Sequence, residues 1–246
     1  MIDGLLERIN MHFVMGDIHN EVKKLKSILK QINLGANDEL IVLGDIFDRG
    51  GASPDPVEVY FTLSGIQDRC TWIRGNHDQW LADYIDEYYS KSERRRSKMQ
   101  PYSYNTFDLM RERLTDVDIQ NISDLIHNLP LQKEIEIEGK KCLFAHAMTS
   151  HPNVIKKRSH YLMGGCLIDE FYKDGVDGYI SFVGHTPTGN VIWTDQGLYL
   201  DDDLKSIWKN EKENVFLLDC GSGFGNGRLA CLCIETGQRF YSEEQS

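Results

Sequence analysis

Short apolar runs, each ending abruptly in a polar cluster, recur along the chain. They are HFVMGD (12–17), ELIVLGD (39–45), TWIRGNHD (71–78), KCLFAHA (141–147), YISFVGHTP (179–187) and VFLLDCGSG (215–223). Runs of large apolar residues without strict alternation are typical of strands that are covered on both faces. The pattern therefore predicts buried strands whose polar carboxyl ends gather along one edge.

Helical periodicity separates the first three predicted strands. Apolar residues recur at helical spacing after Asn20, a favourable N-cap, and again after Pro56. Strand, helix and strand in succession predict βαβ units and a sheet with parallel character. In such sheets ligands bind at the carboxyl ends of the strands.

The segment 79–130 breaks this rhythm, because it is polar, tyrosine-rich and helical in pattern, with a breaker at Pro101. We interpret it as an inserted helical cap within a single domain spanning residues 1–246, since no repeat or linker indicates a second domain. Its tyrosines either line a substrate groove or form the cap's own small core. They are Tyr84, Tyr88, Tyr89, Tyr102 and Tyr104.

Composition narrows the functional classes. The 246 residues are 41% hydrophobic and carry a net charge of -11, which argues against general binding to nucleic acid or anionic membranes. Six cysteines without a CxxC pair favour a reducing compartment. No secretory signal or bilayer-spanning apolar stretch is visible, so a cytoplasmic location without membrane association is expected.

The polar clusters at the predicted strand ends combine carboxylates, imidazoles, an amide and guanidinium groups. Carboxylate oxygen and imidazole nitrogen suit manganese, iron or zinc, and an Asp-x-His pair can direct both side chains at one ion. A single Gly-Asp or Gly-His pair is a common turn signal. Five clusters, each directly after a predicted strand, indicate a metal site.

The ordered motifs GDIHN, GDIFDRG, RGNHD, FAHA and GHTP resemble the signature of bacterial-type phosphoprotein (serine/threonine) phosphatases in the calcineurin-like metallophosphoesterase superfamily. This similarity spans residues 12–187, and LLDCGSGFGNGRLACLCIE extends it weakly toward the C-terminus. The resemblance implies an α/β fold (α+β by some schemes), a two-sheet β-sandwich flanked by helices in four αββα layers. The cap would be an insertion in that fold.

The resemblance also implies a centre of two divalent metal ions, with Mn²⁺ the first choice and iron or zinc as alternatives. Such a pair acidifies a shared water, and the resulting bridging hydroxide attacks the phosphate in line. One ion would be held by Asp17, His19 and Asp45, and the other by Asp45, Asn76, His146 and His185.

His77 directly follows a predicted ligand, so we expect it to face the same cleft and protonate the leaving group. Asp48 would orient the imidazole and raise its basicity. The planar forks of Arg49 and Arg74 suit phosphate oxygens, so both are predicted to bind substrate. Arg158 is a further candidate for phosphate contact.

Three functions fit these residues. A serine/threonine phosphoprotein phosphatase acting on a phosphorylated protein or a small phosphoester comes first. A hydrolase of dinucleoside polyphosphates such as diadenosine tetraphosphate is the second candidate. It ranks lower because, in such hydrolases, the motif that corresponds to GDIFDRG commonly lacks the aspartate present here as Asp48. A cationic cluster formed by Arg94–Arg96 and Lys98 either holds a polyphosphate or is a solvated helix end. An inactive phosphatase-like binding module is the third possibility.

Overall fold

The computed structural model describes residues 10–51, 53–164, 170–188, 192–194, 197–199, 205–224 and 226–243. Its strands are β1 (His12–Met15), β2 (Glu39–Val42), β3 (Cys70–Trp72), β4 (Gln132–Ile137), β5 (Lys140–Ala145), β6 (Ile180–Val183), β7 (Ile192–Thr194), β8 (Gly197–Tyr199), β9 (Trp208–Lys209), β10 (Val215–Leu217), β11 (Ala230–Cys233) and β12 (Arg239–Tyr241). Its helices are α1 (Val22–Ile32), α2 (Pro56–Ser64), α3 (Asn76–Ser90), α4 (Glu93–Arg96), α5 (Thr106–Arg111), α6 (Asp116–Asn128), α7 (Arg158–Met163) and α8 (Phe171–Asp174). Within these ranges no helix is both long enough and apolar enough to traverse a bilayer.

Two five-stranded mixed sheets form the centre of the molecule. The first has the order β12-β11-β1-β2-β3, and the second has the order β4-β5-β6-β10-β9. β1, β2 and β3 run parallel in the first sheet, as do β5, β6 and β10 in the second. These six strands are the six that the apolar runs predict, so the predicted parallel character is confirmed, and β7 and β8 form a separate pair.

Alternation along the strands divides the buried side chains into layers. In β1, Phe13 and Met15 pack toward α1 and α2, whereas Val14 faces the second sheet and packs in the cluster with Phe144 and Phe182. On the far side of the second sheet, residues of β10 and α8 form a third cluster. This is the expected two-sheet α/β sandwich flanked by helices.

The segment predicted as a cap is helical, but it is built into the outer helical layer. α3 begins at Asn76, before the predicted start at 79, and its first turn is buried against the strand ends. Ile85, Phe107 and Ile122 share one hydrophobic cluster with β1 and β2. The amino-terminal end of α3 therefore lies at the strand ends, where the metal site is predicted. The assignment of residues 1–246 to one domain stays a prediction.

Candidate active site

The loops that follow β1, β2 and β6 carry most of the unusual backbone geometry. Nine non-glycine residues in the described chain have positive φ, and six of them belong to the predicted motifs: His19, Asn20, Asp45, Asp48, Arg49 and His185. Such conformations are uncommon outside glycine and persist where the surrounding structure enforces them, often at functional sites. The Asp45 carbonyl accepts hydrogen bonds from Ile18 and His19 amides, which ties the first two loops together.

Asp78 fixes the second loop to the start of α3. Its buried carboxylate accepts hydrogen bonds from the backbone amides of Ile46, Phe47 and Gly75 at 2.9 to 3.2 Å. Burial, followed by the nearby Asp45 charge, raises the pKa of Asp78 to about 6. No role was predicted for Asp78 from the sequence, and its three hydrogen bonds explain why a carboxylate stands there.

Glycines allow close approach around the carboxylates. A Cβ at Gly75 would lie 2.2 Å from both the amide nitrogen and Oδ1 of Asp45, and one at Gly184 would lie 2.1 Å from Oδ1 of Asp17. Any side chain at either position would displace a carboxylate. Only glycine therefore fits before Asn76 and His185 without a steric clash.

Asp17, His19 and Asp45 form one group of potential metal donors, with ligand atoms all within 4.8 Å of one another. His19 Nδ1 lies 3.2 Å from the Phe47 carbonyl, which accepts its proton. Nε2 consequently presents its lone pair toward Asp17 Oδ2 at 3.9 Å and Asp45 Oδ2 at 3.7 Å. Burial lowers the pKa of His19 to about 3, so the imidazole is neutral, the form that binds metals.

A second donor group shares Asp45. Asp45, His146 and His185 again place ligand atoms within 4.8 Å, and Asn76 Oδ1 lies 2.9 Å from both His146 Nε2 and His185 Nδ1. His146 Nδ1 donates to the Leu43 carbonyl at 2.9 Å, which directs its Nε2 into the group. With the amide turned over, the Asn76 nitrogen would donate to both imidazoles instead.

The electrostatics of the two groups fit a divalent cation. Burial would raise the pKa of Asp45, but His146, His19 and His77 together outweigh burial and lower it. Burial opposes charge on His146, yet Asp45 and then Asp17 raise its pKa to about 10, so a bound metal would replace a proton on this imidazole. Burial, and then Asp219, raises the pKa of Asp17. Oxygen and nitrogen donors with ring tautomers set by backbone carbonyls are the ligand chemistry of manganese, iron and zinc sites.

His77 lies beside these donors and bonds to two predicted partners. Its Nδ1 is 3.1 Å from Asp48 Oδ2, its Nε2 accepts from Arg49 Nε at 3.3 Å, and Nε2 is 4.0 Å from Asp45 Oδ2. Tyr102 donates its hydroxyl proton to the same Asp48 oxygen at 2.5 Å. Burial raises the pKa of Asp48 despite these bonds.

The two predicted substrate-binding arginines occupy different environments. Arg49 is half-buried beside His77, with its guanidinium 4.8 Å from the Phe224 ring centroid. Arg74 is only 9% exposed and donates to Gln79 Oε1 and to the His127 and Leu129 carbonyls. Arg74 therefore ties the end of β3 to the carboxyl end of α6, a structural role that the sequence did not predict. Its contact with substrate stays a prediction.

Arg158 lies close to Arg74 at the amino end of α7. Its Nη1 is 3.4 Å from Gln79 Oε1, the oxygen that also accepts from Arg74. Arg158 is exposed. The Arg158 guanidinium is therefore more accessible to a ligand than that of Arg74. Its contact with phosphate stays a prediction.

The tyrosines of the helical segment divide between both predicted roles. Tyr84 and Tyr88 pack against Phe107, with ring centroids 5.1 and 4.9 Å away, and belong to the rim of the first hydrophobic cluster. Tyr104 instead lies 5.0 Å from the His77 ring. Tyr102 bonds to Asp48, as described above. The segment thus contributes both to the core and to the site.

The residues of the cationic cluster, Arg94–Arg96 and Lys98, also differ in their roles. Arg96 donates to the Tyr88 and Tyr89 carbonyls and lies over both rings, so it is a packing residue. Arg95 and Lys98 are exposed and line a cavity of about 580 Å³ whose wall includes Tyr102. Arg94 is exposed as well, so three of the four cations remain available to an anion.

The glycine-rich segment near the C-terminus closes one side of the site. Buried Lys24 donates to the carbonyls of Ser222 and Gly227 at 2.7 and 3.0 Å. A Cβ on Gly223 would lie 2.7 Å from His19 and 2.9 Å from Arg49. Asp219 stands at the end of β10, where burial raises its pKa to about 6. The apolar run before Asp219 is the signal that could have identified it.

Comparison with known proteins agrees with this geometry. The family model described as calcineurin-like phosphoesterase matches residues 13–218, which contain every donor described above. The chain belongs to the calcineurin-like phosphoesterases. This family is metal-dependent, and its members hydrolyse phosphoesters.

Individual relatives of this phosphoesterase carry different names. It is 27% identical to an uncharacterised Methanocaldococcus jannaschii protein, MJ0912, over 80% of this chain and 74% of that protein. It is 29% identical to a symmetrical bis(5'-nucleosyl)-tetraphosphatase of Proteus mirabilis, over 55% and 43% of the two chains. It is 29% identical to serine/threonine-protein phosphatase 2 of Escherichia coli, over 64% and 66%.

The fold of this phosphoesterase also matches a solved structure. A protein serine/threonine phosphatase from Saccharomyces cerevisiae superposes with a TM-score of 0.57 at 14% identity, covering 96% of this chain and 81% of that one. At this identity the match establishes the shared sandwich fold alone.

Proposed function

We propose that this phosphoesterase hydrolyses phosphomonoesters, with a serine/threonine phosphoprotein as the first candidate substrate. The observation that carries the proposal is the pair of donor groups sharing Asp45, with His77 alongside them at 4.0 Å. Asp17 and His19 would complete one metal site, and Asn76, His146 and His185 the other. Two bound divalent ions, manganese as the first choice, would supply an activated water and polarise the phosphate.

The protein's own groups would do the remaining work. Arg49 would bind phosphate oxygens through its guanidinium, which Phe224 supports from one side. With Arg49 turned to the phosphate instead of to His77 Nε2, a protonated His77 would donate from Nε2 to the leaving oxygen, while Asp48 accepts from Nδ1 and stabilises the imidazolium. Tyr102 would hold Asp48 in place. The cytoplasmic location and the identity of the ions remain predictions from the sequence.

A hydrolase of dinucleoside polyphosphates is the second candidate. Arg95 and Lys98 beside the cavity under Tyr102 favour it, because a chain of phosphates extending from the metals needs cations beyond the reacting phosphate. The bond between Asp48 and His77 favours the first candidate, because it equips His77 to protonate a poor alkoxide leaving group.

The test is phosphate release from a phosphoserine peptide and from diadenosine tetraphosphate by the manganese-loaded protein. A metal-stripped sample and the Asp45→Asn variant serve as controls. Metal-dependent preference for the peptide supports the phosphoprotein phosphatase, and preference for the tetraphosphate supports the second candidate. Activity on neither contradicts both.

A further inference from the structure

Three aromatic side chains stand around His77 and Arg49 without belonging to a hydrophobic cluster of the described chain. They are Trp80, Tyr104 and Phe224. Trp80 is 39% exposed and Phe224 is 48% exposed. Large aromatic side chains usually bury most of their surface, so several exposed ones beside a reactive group indicate a contact with something outside the fold.

The rings of Trp80 and Tyr104 contact the imidazole itself. Their centroids lie 4.8 and 5.0 Å from the His77 ring, inclined at 63° and 61°. Trp80 follows His77 by three residues in α3, so both project from the same helix face. Tyr104 approaches from the segment between α4 and α5. His77 is therefore flanked by two partly exposed rings.

The hydrophobic clusters do not account for these two rings, and Tyr104 otherwise contacts only the edge of the Tyr102 ring, at 5.9 Å between centroids among the described residues. Tyr84, Tyr88 and Tyr102 lie on the edge of the first hydrophobic cluster, and Tyr102 also bonds to Asp48. Trp80 and Tyr104 take no part in that cluster. No hydrogen bond is recorded for the Trp80 indole or the Tyr104 hydroxyl among the residues that the structure describes.

We propose that Trp80 and Tyr104 bind a planar ring carried by the leaving group of the substrate. The inference rests on the proposed phosphomonoester hydrolysis, but favours a substrate other than phosphoserine, because the group that His77 protonates must lie against His77 and its neighbours. A nucleobase or an aryl group stacks on aromatic side chains, whereas the side chain of phosphoserine has no ring to contribute. Nucleoside phosphates and phosphotyrosine share this ring chemistry.

Two substrates with the same reacting bond test the proposal. Adenosine 5'-monophosphate and ribose 5-phosphate are both esters of a primary alcohol, and they differ by the planar base. Stacking predicts that kcat/KM of the manganese-loaded protein is at least about tenfold higher for the nucleotide. Trp80→Leu should remove about tenfold of that ratio, and Trp80→Phe, which keeps a ring, should restore most of it.

The control is Phe61→Leu, which alters an aromatic residue that is 54% exposed on α2 and should leave both rates unchanged. Free phosphotyrosine forms the third arm. A selective loss with Trp80→Leu on the nucleotide identifies a nucleoside substrate, and a selective loss on phosphotyrosine identifies an aryl one. Equal effects on all three substrates overturn the inference. Wild-type activity on a phosphoserine peptide but on none of these three substrates would also overturn the inference, and inactivity on the peptide as well would contradict the proposed function instead.

Discussion

The His77 imidazole is the residue on which the proposed proton transfer depends. Replacing it by asparagine in His77→Asn removes the acid but keeps a polar side chain beside Asp48. We expect kcat for an alkyl phosphate to fall by about 100-fold or more, since general acid catalysis contributes on that order. The loss should be much smaller for p-nitrophenyl phosphate, whose leaving group needs no proton.

The matched control is His127→Asn, because His127 bonds to Asp86 on the outer helices. Metal content should equal that of the wild type in both variants, since neither histidine belongs to a donor group. A full rate for the alkyl phosphate in His77→Asn, or metal loss in that variant, would contradict the assigned role.

Gly75 tests the spacing around the Asp45 carboxylate. In Gly75→Ala the new Cβ would meet Asp45 at 2.2 Å, and the nearest atoms are backbone and carboxylate rather than a flexible side chain. Metal binding and activity should both be lost. Gly65→Ala is the control, because its Cβ would meet nothing closer than 3.4 Å and its φ is −64°. Retained metal in Gly75→Ala, measured by elemental analysis, would contradict this spacing argument.

At the scale of elements, Asp55 connects the start of α2 to the turn that follows α5. It caps α2 by accepting from the Glu58 amide at 2.9 Å and pairs with Arg113 Nη1 at 2.7 Å. We expect Asp55→Ala to lower the free energy of unfolding by about 1 to 2 kcal/mol, most of it from the cap and a few tenths from the partly exposed ion pair. Urea denaturation measures this loss.

The pH dependence of the same contribution has a definite sign. Burial alone would raise the pKa of Asp55, but the Glu58 amide and Arg113 lower it. The stabilisation is therefore present above the usual aspartate pKa and is lost as the pH falls through the lowered one. Asp68→Ala is the control, because the Asp68 side chain is 78% exposed. An equal loss of stability in both variants would contradict the assignment.

The sequence predicts strands better than it predicts the helical layer. Buried parallel strands leave continuous apolar runs, and their ends carry glycine and ligand residues, so β1, β2, β3, β5, β6 and β10 were identifiable. The sequence predicts a cap over residues 79–130 because polar residues dominate the pattern there. Only tertiary contacts show that Phe107 and Ile122 pack in the same cluster as the first sheet.

Side-chain contacts within the site are likewise predictable from the sequence only in part. The motifs place Asp48 next to His77, because both end a predicted strand. Tyr102 donates to Asp48 from 54 residues away, and no local pattern marks that contact. Arg74 sits in a motif, yet its guanidinium bonds to carbonyls at the end of α6, which sequence spacing does not reveal.

At the scale of the whole molecule, the two sheets meet so that the Asp45 carboxylate lies beside potential metal ligands that follow strands of both sheets. Asp45 follows β2 of the first sheet, whereas His146 and His185 follow β5 and β6 of the second. Removing Asp45 should therefore disturb both donor groups, and removing His185 should disturb one. This shared residue is the central claim about the site.

The most direct measurement is the manganese content per chain of the wild type, His185→Ala and Asp45→Asn after equilibrium dialysis. The proposed centre predicts two ions in the wild type, about one in His185→Ala and fewer than one in Asp45→Asn. Equal metal content in all three proteins, or full phosphatase activity in a metal-free wild type, would contradict it.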